Sequence, residues 1–404
     1  MSDRFVYFDA ANSTLLDDRV VEFMHSVMSR KLGNPSSHIH SAGIAAGHVL
    51  DEARAKIGAL INARPETAIL TSGATESNNL AISGFLRGNP SYGLVVSEIE
   101  HYSIINQARR LRLDGHKVDY LSVNSDGLID TNQLQRVIKK GPSLVSVAAA
   151  NPEIGTIQDI EEVGRICKQH GAAFHCDATA AAASINIDVE KMNIGMLTLS
   201  AHNMYGPTGI GALIINSGVN ISPLFDGGNQ QMGIRPGTEN VVGAAGFGEA
   251  CKIVSANRDE WNSSLTTLGE SLREGLSRRV PFMHFTGHPE KRLPGHVSFW
   301  VEHVEGESLL LLLNMNGVMA ASGSACSSNL KGKDEEDLAA SHVLTAVGVP
   351  TDICAGSITF SLGKYNDSRD VDHVLSLMPG IVEKLLAMSP SYSDYMRKKE
   401  ILHG

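Results

Sequence analysis

Several things are scarce in this chain, and each scarcity excludes something. The five cysteines, Cys167, Cys176, Cys251, Cys326 and Cys354, are odd in number, widely spaced and include no C-x-x-C pair, which argues against a disulfide framework and a structural zinc site. No apolar run approaches the ~20 residues that span a bilayer. The opening Met1-Ser2-Asp3-Arg4-Phe5-Val6-Tyr7-Phe8-Asp9 has no signal-peptide core, so a soluble, cytoplasmic protein without a membrane partner is expected. Basic residues are in deficit: Lys+Arg 34 against Asp+Glu 44 leaves a formal charge of −10, and a nucleic-acid surface would need a local patch that is not visible. Prolines number only 14, and there is no repeat or low-complexity tract, which removes collagen-like and disordered chains. What remains is 404 residues, 42% hydrophobic and 19% charged, with 39 glycines. That is the balance of a mixed α/β protein with a sizeable core.

From about Glu66 to Ile215, short β-rich runs alternate with amphipathic stretches. Examples are Ala68-Ile69-Leu70-Thr71, Leu94-Val95-Val96-Ser97, Leu144-Val145-Ser146-Val147 and Ala172-Ala173-Phe174-His175-Cys176. Helices are expected over Gly43 to Leu60, where Val49, Ala53, Ile57, Leu60 and Ile61 recur at helical spacing, and over Ile160 to His170. A mostly parallel sheet with helices on both faces follows. Past Gly227-Gly228 the pattern turns to long helices over Asn240 to Arg279. Strands near His296 to Val301 and Ser357 to Ser361 and a last helix near Asp370 to Met388 then predict a second, smaller α+β domain. The run Lys331 to Asp337 is too charged for a core and reads as a surface loop that could also meet a partner.

In open α/β sheets ligands sit beyond the carboxyl ends of the strands. Thr71-Ser72-Gly73-Ala74-Thr75-Glu76-Ser77-Asn78-Asn79 follows one strand and opens a helix, offering N–H and hydroxyl groups to an anion such as phosphate. Taken alone it is a glycine turn with a helix cap. His175-Cys176-Asp177-Ala178-Thr179 ends another strand, and a buried acid there needs a cationic or hydrogen-bonding partner, a need that a pyridinium nitrogen would meet. Ser200-Ala201-His202-Asn203-Met204-Tyr205-Gly206-Pro207-Thr208-Gly209-Ile210-Gly211 joins hydroxyl and imidazole groups to a tight turn into the next strand.

In order and spacing these segments resemble the pyridoxal-phosphate (PLP) enzymes of aminotransferase class V, specifically cysteine desulfurases of the NifS/IscS type. The resemblance runs nearly end to end. It takes in Phe8-Asp9-Ala10-Ala11, Gly33-Asn34-Pro35-Ser36-Ser37, Glu100-His101, Glu153-Ile154-Gly155 and Arg235-Pro236-Gly237-Thr238. It continues through Val304-Glu305-Gly306-Glu307-Ser308, Ser322-Gly323-Ser324-Ala325-Cys326-Ser327-Ser328 and Phe360-Ser361-Leu362-Gly363. The fold it implies is PLP fold-type I, assembled as a homodimer. A large domain, residues 15–255, would hold a mostly parallel seven-stranded sheet, and a small α+β domain, residues 1–14 and 256–404, would carry the Cys326 loop. It also implies that Ala74, Thr75, Ser200 and His202 hold the cofactor phosphate, with Thr238 from the other subunit. His101 would stack on the ring and Asp177 would keep its nitrogen protonated. Cys326 would be the nucleophile that takes sulfur as a persulfide and delivers it to an acceptor protein.

The chain departs from the family where the chemistry is. Asn203 stands at the lysine that anchors PLP covalently and moves a proton at the substrate, a loss worth ~10²–10⁴ in rate for the proton transfer alone. Neither Lys191 nor Lys364 offers itself as a substitute. Thr359 replaces the arginine that clamps the substrate carboxylate. Pro152 and Ala180 replace two partners of the ring oxygen, and Ala149 replaces a histidine often found there.

These departures predict a cysteine desulfurase-like protein of sulfur transfer or iron–sulfur cluster assembly whose PLP chemistry is lost or impaired. Cys326 would persist as a persulfide carrier, or as a ligand to a [2Fe-2S] cluster shared with a scaffold partner. Two alternatives stand beside it: an active desulfurase that binds PLP without a covalent link, and a non-catalytic dimer partner of an active paralogue. His101 and Asp177 would also suit packing after cofactor loss, and Cys326 could be an inert loop thiol, although its small-residue setting favours reactivity. Cys167, Cys251 and Cys354 read as small buried side chains and Cys176 as core, pointing away from its strand neighbours. His38 and His40 lack a third ligand and suit a loop better than a metal.

Overall fold

The computed structural model describes residues 5–322, 341–350 and 357–403. Cys326, Cys354 and the Lys331 to Asp337 run lie outside the described residues. In chain order the described strands are β1 (Val6–Tyr7), β2 (Ala68–Thr71), β3 (Gly93–Ser97), β4 (Val118–Leu121), β5 (Ser143–Ala148) and β6 (Ala173–Asp177). They continue with β7 (Met196–Ser200), β8 (Gly211–Ile215), β9 (Met283–Phe285), β10 (His296–Val301), β11 (Val318–Met319) and β12 (Ser357–Ser361).

One sheet of seven strands has the order β2-β8-β7-β6-β5-β3-β4. The pairs from β7 through to β4 are parallel, while β8 runs antiparallel to both of its neighbours. Alternation along β3 shows why both faces are covered. Val95 packs with Leu50, Ala53, Ile57, Val163 and Ile166, whereas Leu94 and Val96 pack with Leu80, Phe85, Ile104 and Ala108 on the other side. The helix Ile160–His170 begins where Asp159 accepts from Glu162 N and ends at the left-handed Gly171, a start and a stop written into the sequence.

The helix Val241–Arg279 is continuous for 39 residues, roughly 60 Å at the usual rise. Its first half joins the large core through Phe247, Cys251 and Val254, and its second half joins another core through Leu265, Leu272 and Leu276. A boundary between residues 255 and 256 therefore falls inside this helix. The second core holds Val6 and Phe8 from the N-terminal strand together with Phe299, Phe360 and the inner face of the helix Ser368–Met388. It is built on the sheet β12-β10-β9 and the parallel pair β1-β11. The chain does not end its helices at Met388. Ser389 is extended and a further helix, Pro390–His403, follows. Proline suits a first helical turn, and the polar run Arg397-Lys398-Lys399-Glu400 gave no apolar periodicity by which to find it. Among the described residues no helix is long and apolar enough to cross a membrane.

Candidate active site

The carboxyl ends of β2, β3, β5, β6 and β7 meet at one edge of the large sheet around a cavity of about 400 Å³. Its wall includes residues 72–76, His101, Asn151, Pro152, Asp177, Thr179, Ala180, His202 and Asn203. Two glycines let the chain close here. Gly73 has φ +151°, which side chains avoid. A Cβ on Gly211, paired between Thr71 and Ser200, would stand 2.8 Å from Gly73 Cα and 2.7 Å from Leu199 O.

Asp177 is buried and held by neutral donors: Asn78 Nδ2 to Oδ2 at 2.8 Å and Thr179 N to Oδ1 at 2.9 Å. Asn78 Nδ2 also reaches Ser103 Oγ at 2.8 Å, and that hydroxyl lies 2.9 Å from His101 Nδ1. Ser103 N donates to the same Nδ1 at 3.1 Å, so a neutral His101 carries its proton on Nε2. One relay of hydrogen bonds thus fixes both candidate ring contacts. Beneath Asp177 on the same strand face, His175 is clamped between Ser146 Oγ (2.9 Å) and Thr198 Oγ1 (3.0 Å), and burial pushes its pKa down to about 4.

Of the expected phosphate group, Ala74, Thr75 and His202 line the cavity. Ser200 ends β7 behind the wall, and its buried Oγ, like that of Thr179, has no hydrogen-bond partner among the described residues. Burial lowers the pKa of His202, whose Nδ1 lies 3.3 Å from Ser13 Oγ. Burial would raise the carboxyl pKa of Glu76, but Arg235, with Nε at 2.8 Å, and Ser72 N, at 2.7 Å, outweigh it and hold the group below its ordinary range. Thr238 is exposed and off the wall of its own chain's cavity.

Asn203 is 8% exposed, and its Nδ2 donates to Ala11 O at 3.1 Å. Among the described residues no lysine stands on the wall. Lys191 is exposed and bound to Glu161 at 3.0 Å. Lys364 is buried, ion-paired with Asp17, and lies 4.5 to 4.8 Å from the ring centres of Tyr205, Trp261 and Tyr365.

A smaller recess of about 90 Å³ adjoins the cavity, lined in part by Glu100, His101, Pro152, Glu153, His342 and Thr359. Thr359 Oγ1 donates to Glu153 O at 2.9 Å, and Pro152 O accepts from His296 Nε2 at 2.9 Å. Burial pushes the Glu153 carboxyl up to about 8 and the Glu100 carboxyl well above its ordinary value. Glu100 Oε1 accepts from Ala148 N at 3.0 Å, and Glu100 O accepts from His342 Nε2 at 2.9 Å. Sequence reasoning gave no role to Asn78, Ser103, Glu100, Glu153 or His342. Glu100 and Glu153 entered it as members of the motifs Glu100-His101 and Glu153-Ile154-Gly155, and Asn78 as part of the segment Thr71 to Asn79, without a role of their own.

Cys167, Cys176 and Cys251 are buried and free. Burial raises all three thiols, Cys167 to about 12, which leaves them unreactive. His40 caps the helix Ser41–Leu60 by accepting from Gly43 N at 3.1 Å, and no described group of His, Cys, Asp and Glu is arranged to hold a metal.

A sheet of this order with ligand-facing turns at its strand ends defines an α/β protein of the PLP-transferase kind, and the chain belongs to the aminotransferase class-V family, which it matches over residues 6–374. Within that family it is similar to cysteine desulfurases. It is 42% identical over 388 residues to cysteine desulfurase IscS 1 of Archaeoglobus fulgidus, covering 96% of this chain and 99% of the relative. It is 43% identical over 390 residues to cysteine desulfurase IscS of Methanosarcina thermophila, covering 96% and 94%. Among solved structures, a NifS-like protein superposes with a TM-score of 0.86 at 32% identity over 94% of this chain and 99% of that one. The NifS-like protein from Rickettsia africae gives 0.83 at 30%, covering 94% and 100%. The fold is PLP fold-type I, and the family implies dependence on PLP.

Proposed function

We propose that this chain is a cysteine desulfurase-like protein of sulfur transfer or iron–sulfur cluster assembly in which PLP-driven release of sulfur from L-cysteine is lost or greatly weakened. The observation that carries this is Asn203: its amide holds Ala11 O, and among the described residues no amine replaces it on the cavity wall.

The residues fit PLP at its two ends. Ala74, Thr75, His202 and the unpartnered Ser200 hydroxyl would hold the phosphate, and Asp177, oriented by Asn78 and Thr179, would pair with the ring nitrogen beside His101. When bound, PLP supplies an electron sink. The rest of the reaction needs groups that positions 203 and 359 do not supply. Asn203 cannot bond the cofactor covalently or carry a proton to and from the substrate, and Thr359 offers a hydroxyl, already bound to Glu153 O, where a carboxylate would need a cation.

Cys326 then acts as a persulfide carrier fed from elsewhere, or as a thiolate ligand to a [2Fe-2S] cluster shared with a scaffold protein. The working unit is a cytoplasmic homodimer, with Thr238 completing the partner's phosphate site. Cys326→Ser should abolish the chain's contribution to cluster assembly, and an unchanged assay would overturn the role. Ala74, Thr75 and His202 together on the cavity wall favour a second reading, slow turnover with PLP held non-covalently. Sulfide release from L-cysteine that vanishes in Cys326→Ser would select it.

A further inference from the structure

Resting on the reading of the cavity as a cofactor pocket, we propose that it is selective for the amine form of the cofactor, pyridoxamine 5′-phosphate, over the aldehyde, and that Asn203 makes the distinction. The orientation of the Asn203 amide is fixed by chemistry: Ala11 O can only accept, so the atom facing it at 3.1 Å is Nδ2. Oδ1 is therefore left over, buried and without a donor among the described residues, on a side chain that is 8% exposed and part of the cavity wall. A buried acceptor without a donor is unfavourable, and a ligand that donates to it gains what a ligand that only accepts does not.

The aldehyde oxygen of PLP only accepts, and set against Oδ1 it would place two acceptors together. The aminomethyl group of pyridoxamine phosphate brings an ammonium with three N–H donors. Asparagine is shorter than lysine, so the amine finds space where a lysine side chain would otherwise run. No described lysine or arginine lines the cavity to repel that charge. Both forms share the phosphate and the ring nitrogen, so the cup and Asp177 bind them alike, and the difference falls on Asn203.

The test is calorimetric titration of the purified full chain with pyridoxamine phosphate and with PLP. The amine form should bind about tenfold more tightly, the scale of one charge-assisted hydrogen bond. Asn203→Leu should remove that preference, weakening the amine form and relieving the acceptor–acceptor contact with PLP, so that the two affinities converge. Asn203→Asp, with an anionic acceptor, should enlarge it, and this variant decides the matter if the leucine variant does not fold. Equal affinities in the wild type, or a preference that survives Asn203→Leu, overturn the assignment while the cofactor-pocket reading stands. Binding of neither compound overturns that reading and the assignment with it.

Discussion

Replacing Lys364 by methionine separates a structural amine from a catalytic one. The Lys364 side chain is 6% exposed and that of Asp17 4%, and the two form an ion pair walled by Tyr205, Trp261 and Tyr365. Removing one partner of a buried pair costs 3–5 kcal/mol because the other charge is stranded, and here the loss falls at the lower end, about 3 kcal/mol. The reason is that Arg19 still holds both oxygens of Asp17, at 3.0 and 2.7 Å. The bonds from Arg19, followed by that from Lys364, hold the Asp17 carboxyl well below its ordinary 3.8. Its contribution is therefore present above that value and lost as pH falls through the depressed one, so the gap between wild type and variant narrows in acid. Urea unfolding followed by the fluorescence of Trp261, 4.8 Å from Nζ, measures the loss at neutral and at acid pH. Absorbance with added PLP should be the same in both proteins. A stability loss below about 1 kcal/mol, the scale of an exposed pair, would refute the buried coupling. A PLP-dependent band present only in the wild type would make Lys364 the missing amine.

Asn203→Lys should create a visible PLP band that borohydride bleaches while fixing the reduced cofactor to the protein through dialysis, and sulfide release should stay low until Thr359→Arg is added. Absence of the band in a folded variant would show that the pocket has diverged beyond one residue. Glu153→Gln should flatten the pH dependence of stability. A carboxyl raised from 4.5 to about 8 contributes fully below 4.5 and loses that contribution as pH rises through about 8, on the order of 5 kcal/mol across the window. The variant should therefore gain on the wild type from acid to mildly alkaline pH, and parallel urea profiles would contradict this. Gly211→Ala should cost about 1–3 kcal/mol by overpacking against Gly73 and Leu199, and should weaken binding of PLP and of inorganic phosphate alike. Calorimetry that finds phosphate affinity unchanged would show that the cup does not depend on this contact.

The strand ends were legible because their signals are local: a run such as Leu94-Val95-Val96-Ser97 followed by polar residues marks a strand and its ligand-facing turn. The absent lysine was legible from one letter at position 203. What Asn203 does instead was not, since Ala11 lies 192 residues away in the chain. The same holds for Asn78, which orients Asp177 across 99 residues, and for the recess that gathers Glu100, Glu153, His342 and Thr359 from separate segments. Gln231 is a further case. Its side-chain amide pairs with the backbone of edge strand β2, accepting from Leu70 N at 2.6 Å and donating to Leu70 O at 2.8 Å, from a left-handed backbone with φ 50°. No turn residue or periodicity announces it. Hydrophobic periodicity reports where the chain is buried, whereas these hydrogen bonds depend on which buried segments meet.

The most direct test of the central claim is a visible spectrum of the purified chain with and without added PLP, with sulfide release from L-cysteine followed in the same cuvette. Asn203 predicts no Schiff-base band before reduction, no cofactor retained on the protein after borohydride reduction and dialysis, and sulfide at background. A stable band accompanied by turnover would contradict it.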